Sequence, residues 1–186
     1  MHHIQSLLML TGSETDLDIL DGWDQHGDTP LCCAARQSRQ DVALYLLQQG
    51  ANINLQNWQG RSPIMQASRC GRLDMCHLLL QHGADKFLVD HFGQNALHMH
   101  GKPGIVQLLI SSGGVDVDAV DGRNYTALMW AATYNFKTIV KMLLSRGASL
   151  TVEDNVLGYT ARSIASLRMH FDVVEIIEAE ERRRGT

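Results

Sequence analysis

Apolar and polar positions along this chain recur with two nested periods. Within a segment, apolar residues fall three and four apart, as at Leu31, Ala34 and Ala35 or at Leu128, Ala131 and Ala132, the spacing of one stripe on an α-helix. The segments themselves also recur. TPLCCAA, SPIMQAS, NALHMHG, TALMWAA and TARSIAS begin at Thr29, Ser62, Asn95, Thr126 and Thr160, at spacings of 33, 33, 31 and 34 residues. A second set, YLLQQGANI, LLLQHGADK, LLISSGGVDV and MLLSRGASL, begins at Tyr45, Leu78, Leu108 and Met142. Five copies of one unit fill most of the sequence, and periods of this length mark stacked repeats.

Each unit predicts the same local structure. Thr29, Ser62, Thr126 and Thr160 supply a side-chain oxygen that can cap a helix, and Pro30 or Pro63 follows at the first helical position, where a missing N–H is harmless. A second helix carries Val42, Leu46 and Leu47, or Ile139, Val140, Leu143 and Leu144. It stops at Gly50, Gly83 or Gly147, residues free to adopt the left-handed C-cap conformation. The stretches NLQNWQG, LVDHFGQ and DAVDGRN between units are turn-rich, and Gly60, Gly93 and Asn124 can close a tight hairpin there. The unit is therefore an antiparallel helix pair with a hairpin. None could bury its apolar face alone, so the units must stack, with small residues such as Ala34 and Ala35 at the close approaches.

One unit breaks the rhythm. From the start of the first helix to the start of the leucine run the distance is 16 residues in four units but 13 from Asn95 to Leu108. The sequence predicts a shortened first helix ended by Gly101, a second helix opened by Pro103, and one position regained in SSGGVDVDA. HGKPG is then a compressed turn. Its Gly-Lys pair lacks the G-x-x-x-x-G-K-[ST] frame and follows a helix where a phosphate loop follows a strand, so nucleotide binding is set aside.

The segments DQHGDTPLCCAA with YLLQQGANIN, NWQGRSPIMQA with LLLQHGAD, and DGRNYTALMWAA with IVKMLLSRGAS resemble the ankyrin-repeat family over roughly residues 24 to 181. The resemblance implies an all-α solenoid of stacked antiparallel helix pairs with β-hairpin-like loops. Five repeats (24–56, 57–89, a shortened 90–120, 121–153 and 154–181) would follow an N-terminal capping segment, residues 1–23. Arg162 stands where the family usually has an inner leucine, and His100 and Gly101 replace an Ala-Ala pair. His98 falls where the family usually has a histidine bonded to the neighbouring hairpin.

Composition narrows the chemistry. A net charge of −4 and a pI near 6.1 argue against general attraction to nucleic acid or anionic membrane. No apolar run approaches the roughly 20 residues of a membrane span, and the start, with only LLML as an apolar core, reads poorly as a signal peptide. A cytoplasmic or nuclear-cytosolic chain is expected. Cys32, Cys33, Cys70 and Cys76 lack a C-x-x-C and suit reduced thiols better than a disulfide frame or zinc site. His82, His91, His98 and His100 could gather around the third unit, yet no Cys/His spacing matches a closed metal site, and no metal or other cofactor is expected. No Ser-His, Cys-His or paired-carboxylate constellation stands apart from repeat positions, so the chain reads as non-enzymatic. Asn124-Tyr125-Thr126 spells a glycosylation acceptor, which the turn and cap roles of Asn124 and Thr126 already explain.

Recognition remains. In the resembling family, hairpin tips and the outward end of the first helix line one concave groove that binds protein partners. Carried to this chain, the tips are Gln25, His26, Asp28, Trp58, Gln59, Arg61, His91, Phe92, Gln94, Arg123 and Tyr125. The helix ends are Arg36, Gln37, Arg69, Cys70, Thr133 and Tyr134, and Trp130 reads as core or groove floor. Trp58, Phe92 and Tyr125 would place one aromatic on each of three tips. Arg36, Arg61, Arg69 and Arg123 facing Asp28 alone would make the groove locally basic, suited to an acidic or extended segment of another protein. Two alternatives remain: an enzyme inhibitor, by analogy with the ankyrin-repeat inhibitors of cyclin-dependent kinases, and a metal or redox module built on the histidines and cysteines. Arg182, Arg183 and Arg184 suit the negative end of a last helix.

Overall fold

The computed structural model describes residues 20–99 and 102–185. The described residues form nine helices: α1 (Pro30–Gln37), α2 (Gln40–Gln48), α3 (Pro63–Arg69), α4 (Leu73–Gln81), α5 (Pro103–Ser111), α6 (Ala127–Thr133), α7 (Lys137–Ser145), α8 (Ala161–Leu167) and α9 (Phe171–Arg184). They fall into two compact units, the first ending at His91 and the second running from Phe92. Residues 1–19 of the expected capping segment, and the expected helix end at Gly101, lie outside the described residues.

The caps form where the hydroxyls are threonines. Thr29 Oγ1 accepts the Cys32 N–H at 3.1 Å, Thr126 Oγ1 that of Met129 at 3.3 Å and Thr160 Oγ1 that of Ser163 at 3.4 Å. Ser62 departs from the expectation. It has the extended backbone of an N-cap, but its buried hydroxyl finds no partner. Threonine's γ-methyl restricts the side chain to few rotamers, and serine lacks that constraint. The second helices stop as expected, with Gly50, Gly83 and Gly147 at φ of 93°, 85° and 85°. The next N–H in each case, from Ala51, Ala84 or Ala148, returns to a carbonyl of the last turn at 2.9–3.1 Å.

Packing follows the two stripes. Ala35, Ala67, Ala132 and Ala165 are fully buried on the first helices, and α1 packs on α3 as α6 packs on α8. Leu46, Leu79, Leu109, Leu143 and Ile177 fill the second helices' inner faces. At about 25 cal/mol per Å² of apolar surface, burying one such leucine is worth roughly 1.5–3 kcal/mol, so the repeated stripe dominates the fold's stability.

The hairpins share one device. Asp24, Asn57 and Asp121 each use a side-chain oxygen to accept the N–H groups two and four residues ahead, at 2.8–3.0 Å. Gly27, Gly60 and Asn124 take the left-handed position that closes each turn. In the first unit, Trp58 N–H donates to the Gly27 carbonyl and His91 N–H to that of Gln59. In the second, Gly122 N–H donates to Phe92 and Asn155 N–H to Arg123. The last hairpin is one residue longer: Asp154 N–H reaches Tyr159 rather than the fourth residue, leaving Val156 and Leu157 exposed.

In the third repeat the structure corrects the sequence reading. Instead of a shortened first helix, the described residues form only a turn at 96–98, and Pro103 then opens α5 as expected. His98 secures the turn. Its Nε2 donates to the Ala119 carbonyl at 2.9 Å, and its Nδ1 lies 2.8 Å from Asn95 Oδ1 and 3.2 Å from the Asn95 nitrogen.

Candidate protein-binding surface

In the first unit the hairpin fold sets which side chains face solvent. Trp58 follows the Asn57 anchor, leaving its indole 61% exposed while the ring lies over Gly27, where a methyl group would overlap it. Gln59 and His91 are exposed beside it. The arginines are less available than their sequence positions imply. Arg61 Nε stands 3.3 Å from Asp90 Oδ2, with the Asp90 side chain fully buried, and its Nη1 donates to Gln59 Oε1 at 2.8 Å. Arg36 lies 3.4 Å from Asp28 Oδ2. Arg69 donates to Gln66 Oε1 at 3.2 Å but stays exposed overall.

Two corrections result. Asp28 is no tip residue: it is buried, and its Oδ1 accepts Asn57 Nδ2 at 2.7 Å and Gln66 Nε2 at 3.2 Å, tying the first two repeats together. Nor do the arginines face Asp28 alone, because Asp90 takes Arg61. Arg36 and Arg61 are thus offset by Asp28 and Asp90, while Arg69 stays exposed.

The second unit gathers aromatic surface. Phe92 is 61% exposed and Arg123 is exposed on its hairpin. Tyr125 differs from Trp58 and Phe92: it is the fifth residue of its hairpin, at the base and half-buried, so the three aromatics do not occupy equivalent tip positions. Its ring instead meets Trp130 on α6 at 5.3 Å and 53°. Trp130 stacks at 6.1 Å on Tyr134, which stacks at 5.8 Å on Phe136 in the α6–α7 turn. A continuous row of four rings results, with Tyr134 and Phe136 exposed and Trp130 half-exposed. Burial pushes the Tyr125 phenol's pKa up, so it stays a neutral donor.

Asp121 holds this row. Its Oδ1 shapes the hairpin, while its Oδ2 accepts Trp130 Nε1 at 3.0 Å and Gln94 Nε2 at 3.3 Å. Sequence reasoning named Tyr125 as a tip residue and Tyr134 as a helix-end residue but missed Phe136 and Asp121. A signal existed: Trp130 and Tyr134 are four apart on one helix, hence on one face.

The other candidates have structural partners. His82 Nδ1 lies 2.9 Å from the Leu78 carbonyl at the end of its own helix. Among the described residues, no three His, Cys, Asp or Glu side chains gather as a metal site. The four cysteines are free thiols. Burial pushes Cys32 up to about 11 and Cys76 up to about 12, which makes both poor nucleophiles at neutral pH. Among the described residues, no helix is long and apolar enough to cross a membrane.

Comparison with known sequences agrees with this geometry. The family described as "Ankyrin repeats (3 copies)" matches residues 2–90, 64–154 and 97–181. The chain belongs to the ankyrin-repeat family. The ankyrin-repeat family supplies general protein–protein interaction modules and is non-enzymatic. The chain is also 35% identical over 136 residues to neurogenic locus notch homolog protein 1 from Cricetulus griseus, Mus musculus and Rattus norvegicus. That match covers 71% of this chain but only 5% of each relative's length.

Proposed function

We propose that this ankyrin-repeat chain is an adaptor or scaffold that captures an extended segment of a partner protein. The observation that carries the reading is the row Tyr125, Trp130, Tyr134 and Phe136 in the second unit, exposed at Tyr134 and Phe136. Rigid aromatic side chains desolvate large area at low entropic cost and are the commonest interface anchors. Asp121 fixes Trp130 beforehand, so little ordering remains to be done on binding. Trp58, Gln59, His91 and Arg69 offer a second contact region in the first unit, and Phe92, Gln94 and Arg123 extend the second unit's surface. Arg36 and Arg61 act there mainly through their ion pairs with Asp28 and Asp90. The four free thiols favour a reducing compartment, cytoplasmic or nuclear.

Affinity capture from cell lysate tests the reading, with wild type beside Tyr134→Ser and Trp58→Ala. A protein retained by wild type and lost from Tyr134→Ser, with unchanged thermal melts, is the expected result. Equal capture by all three chains would refute it.

A further inference from the structure

The third repeat is shorter than its neighbours, and a cleft lies beside its second helix. In the repeats on either side, the first helix continues for seven or eight residues. Here the described residues make one turn through 96–98, and among them no first helix matches those of the other repeats. Between the start of α5 and the α6–α7 turn lies a cleft of about 420 Å³, bounded by Lys102 and Pro103 on one side and by residues 135–139, Asn135 and Thr138 among them, on the other. A gap of about 10 Å³ beside His98, Val106 and Trp130 shares Phe136 and Ile139 with it.

The cleft's chemistry is mixed in a definite way. Pro103, Phe136 and Ile139 give it apolar walls. Lys102, the N-cap of α5, and Lys137, the first residue of α7, stand at its rim, and neither nine-residue helix has a side-chain acceptor at its N-cap. The positive ends of α5 and α7 therefore add to two ammonium groups. Lys137 is answered by Asp172 on α9, with which it pairs. A net positive rim around an apolar floor selects a complementary occupant.

We propose that this cleft binds an acidic segment of a partner protein, seating one aliphatic or aromatic side chain on Phe136 and Ile139 with an adjacent Asp or Glu at Lys102. The inference rests on the protein-binding reading above and specifies a site within it. Pockets of roughly 300–1,000 Å³ enclose small ligands, so the cleft has room for a side chain or two but not for a folded element.

The test uses the full chain and a phage-displayed library of random dodecapeptides. Selected peptides are then measured by fluorescence anisotropy against wild type, Lys102→Glu, Phe136→Ala, Tyr125→Ala and Glu175→Ala, each first checked by thermal melt. Expected are peptides with Asp or Glu within two positions of Leu, Ile or Phe, whose affinity falls about tenfold in Lys102→Glu and in Phe136→Ala but little in Glu175→Ala, at an exposed position on α9. Lys102 is exposed, so its variant keeps the test valid should Phe136→Ala unfold. Basic or uncharged selected peptides, or binding unmoved by Lys102→Glu, would overturn the proposal. Loss confined to Tyr125→Ala would overturn the cleft and leave the module reading standing. Failure to select any peptide also overturns the cleft, and the lysate capture then decides the wider reading separately.

Discussion

Replacing Asp121 with alanine should damage the fold and the candidate surface together. The carboxylate accepts four hydrogen bonds: from the N–H groups of Arg123 and Tyr125 at 2.9 and 3.0 Å, from Trp130 Nε1 at 3.0 Å and from Gln94 Nε2 at 3.3 Å. A hydrogen bond to a charged group contributes about 1.5–3 kcal/mol, and a neutral one about 1. The two hairpin N–H groups lie near an exposed tip and can turn to water, which recovers part of their loss. The half-buried indole and amide recover less. Asp121→Ala should therefore cost about 3 kcal/mol, read as a shift of the urea midpoint at constant m-value. Asp121→Asn retains one acceptor oxygen for the hairpin but aims its NH₂ at two donors, and should cost roughly half as much. With Trp23 and Trp58 changed to Phe, Trp130 is the sole indole, and its emission in the folded state should shift in both variants as the ring loses its partner. A change under about 0.5 kcal/mol in Asp121→Ala would refute the reasoning, because four bonds to a buried carboxylate cannot be lost so cheaply.

Other expectations follow from the same geometry. Thr126→Ala should cost about 1 kcal/mol in chemical denaturation while Ser62→Ala costs nearly nothing, since only the first removes a made cap; equal losses would contradict this. Gly93→Ala should cost at least 2 kcal/mol or so, because φ is +74° and its Cβ would stand 2.7 Å from the Gly122 nitrogen; a neutral effect would count against the hairpin geometry. Arg183 and Arg184 hold the Glu180 carboxyl down from an ordinary 4.5 to about 2. A depressed acid stabilises the fold above its unfolded pKa, and that stability fades as pH drops from about 4.5 towards 2. Glu180→Gln should flatten this part of the stability curve and leave the neutral-to-alkaline part parallel; an unchanged acid limb would oppose the assignment.

Local chemistry explains what could be read in advance. The glycine stops, the threonine caps and the leucine stripe each depend on residues a few positions apart, so they were visible as spacing. Ser62 was misread because a hydroxyl's presence does not reveal its rotamer. Arg61 and Asp90 are 29 residues apart, and Asn57 and Asp28 equally far. Those pairs arise only when one hairpin docks on the next, which is why residue identities alone did not show that Arg61 is offset by Asp90. Tyr125 was displaced for a different reason. Its hairpin begins at Asp121, so counting from the anchoring carboxylate puts it at the base. The aromatic row needed both facts: helical spacing for Trp130 and Tyr134, and the turn that folds Phe136 back onto Tyr134.

A photocrosslinking amino acid in place of Tyr134, in the full chain expressed in cells, tests the central claim most directly. The same substitution at exposed Glu175 on α9 serves as the comparison. The account predicts that one protein is covalently captured from position 134 and not from position 175. Capture from both positions alike, or from neither, would contradict it.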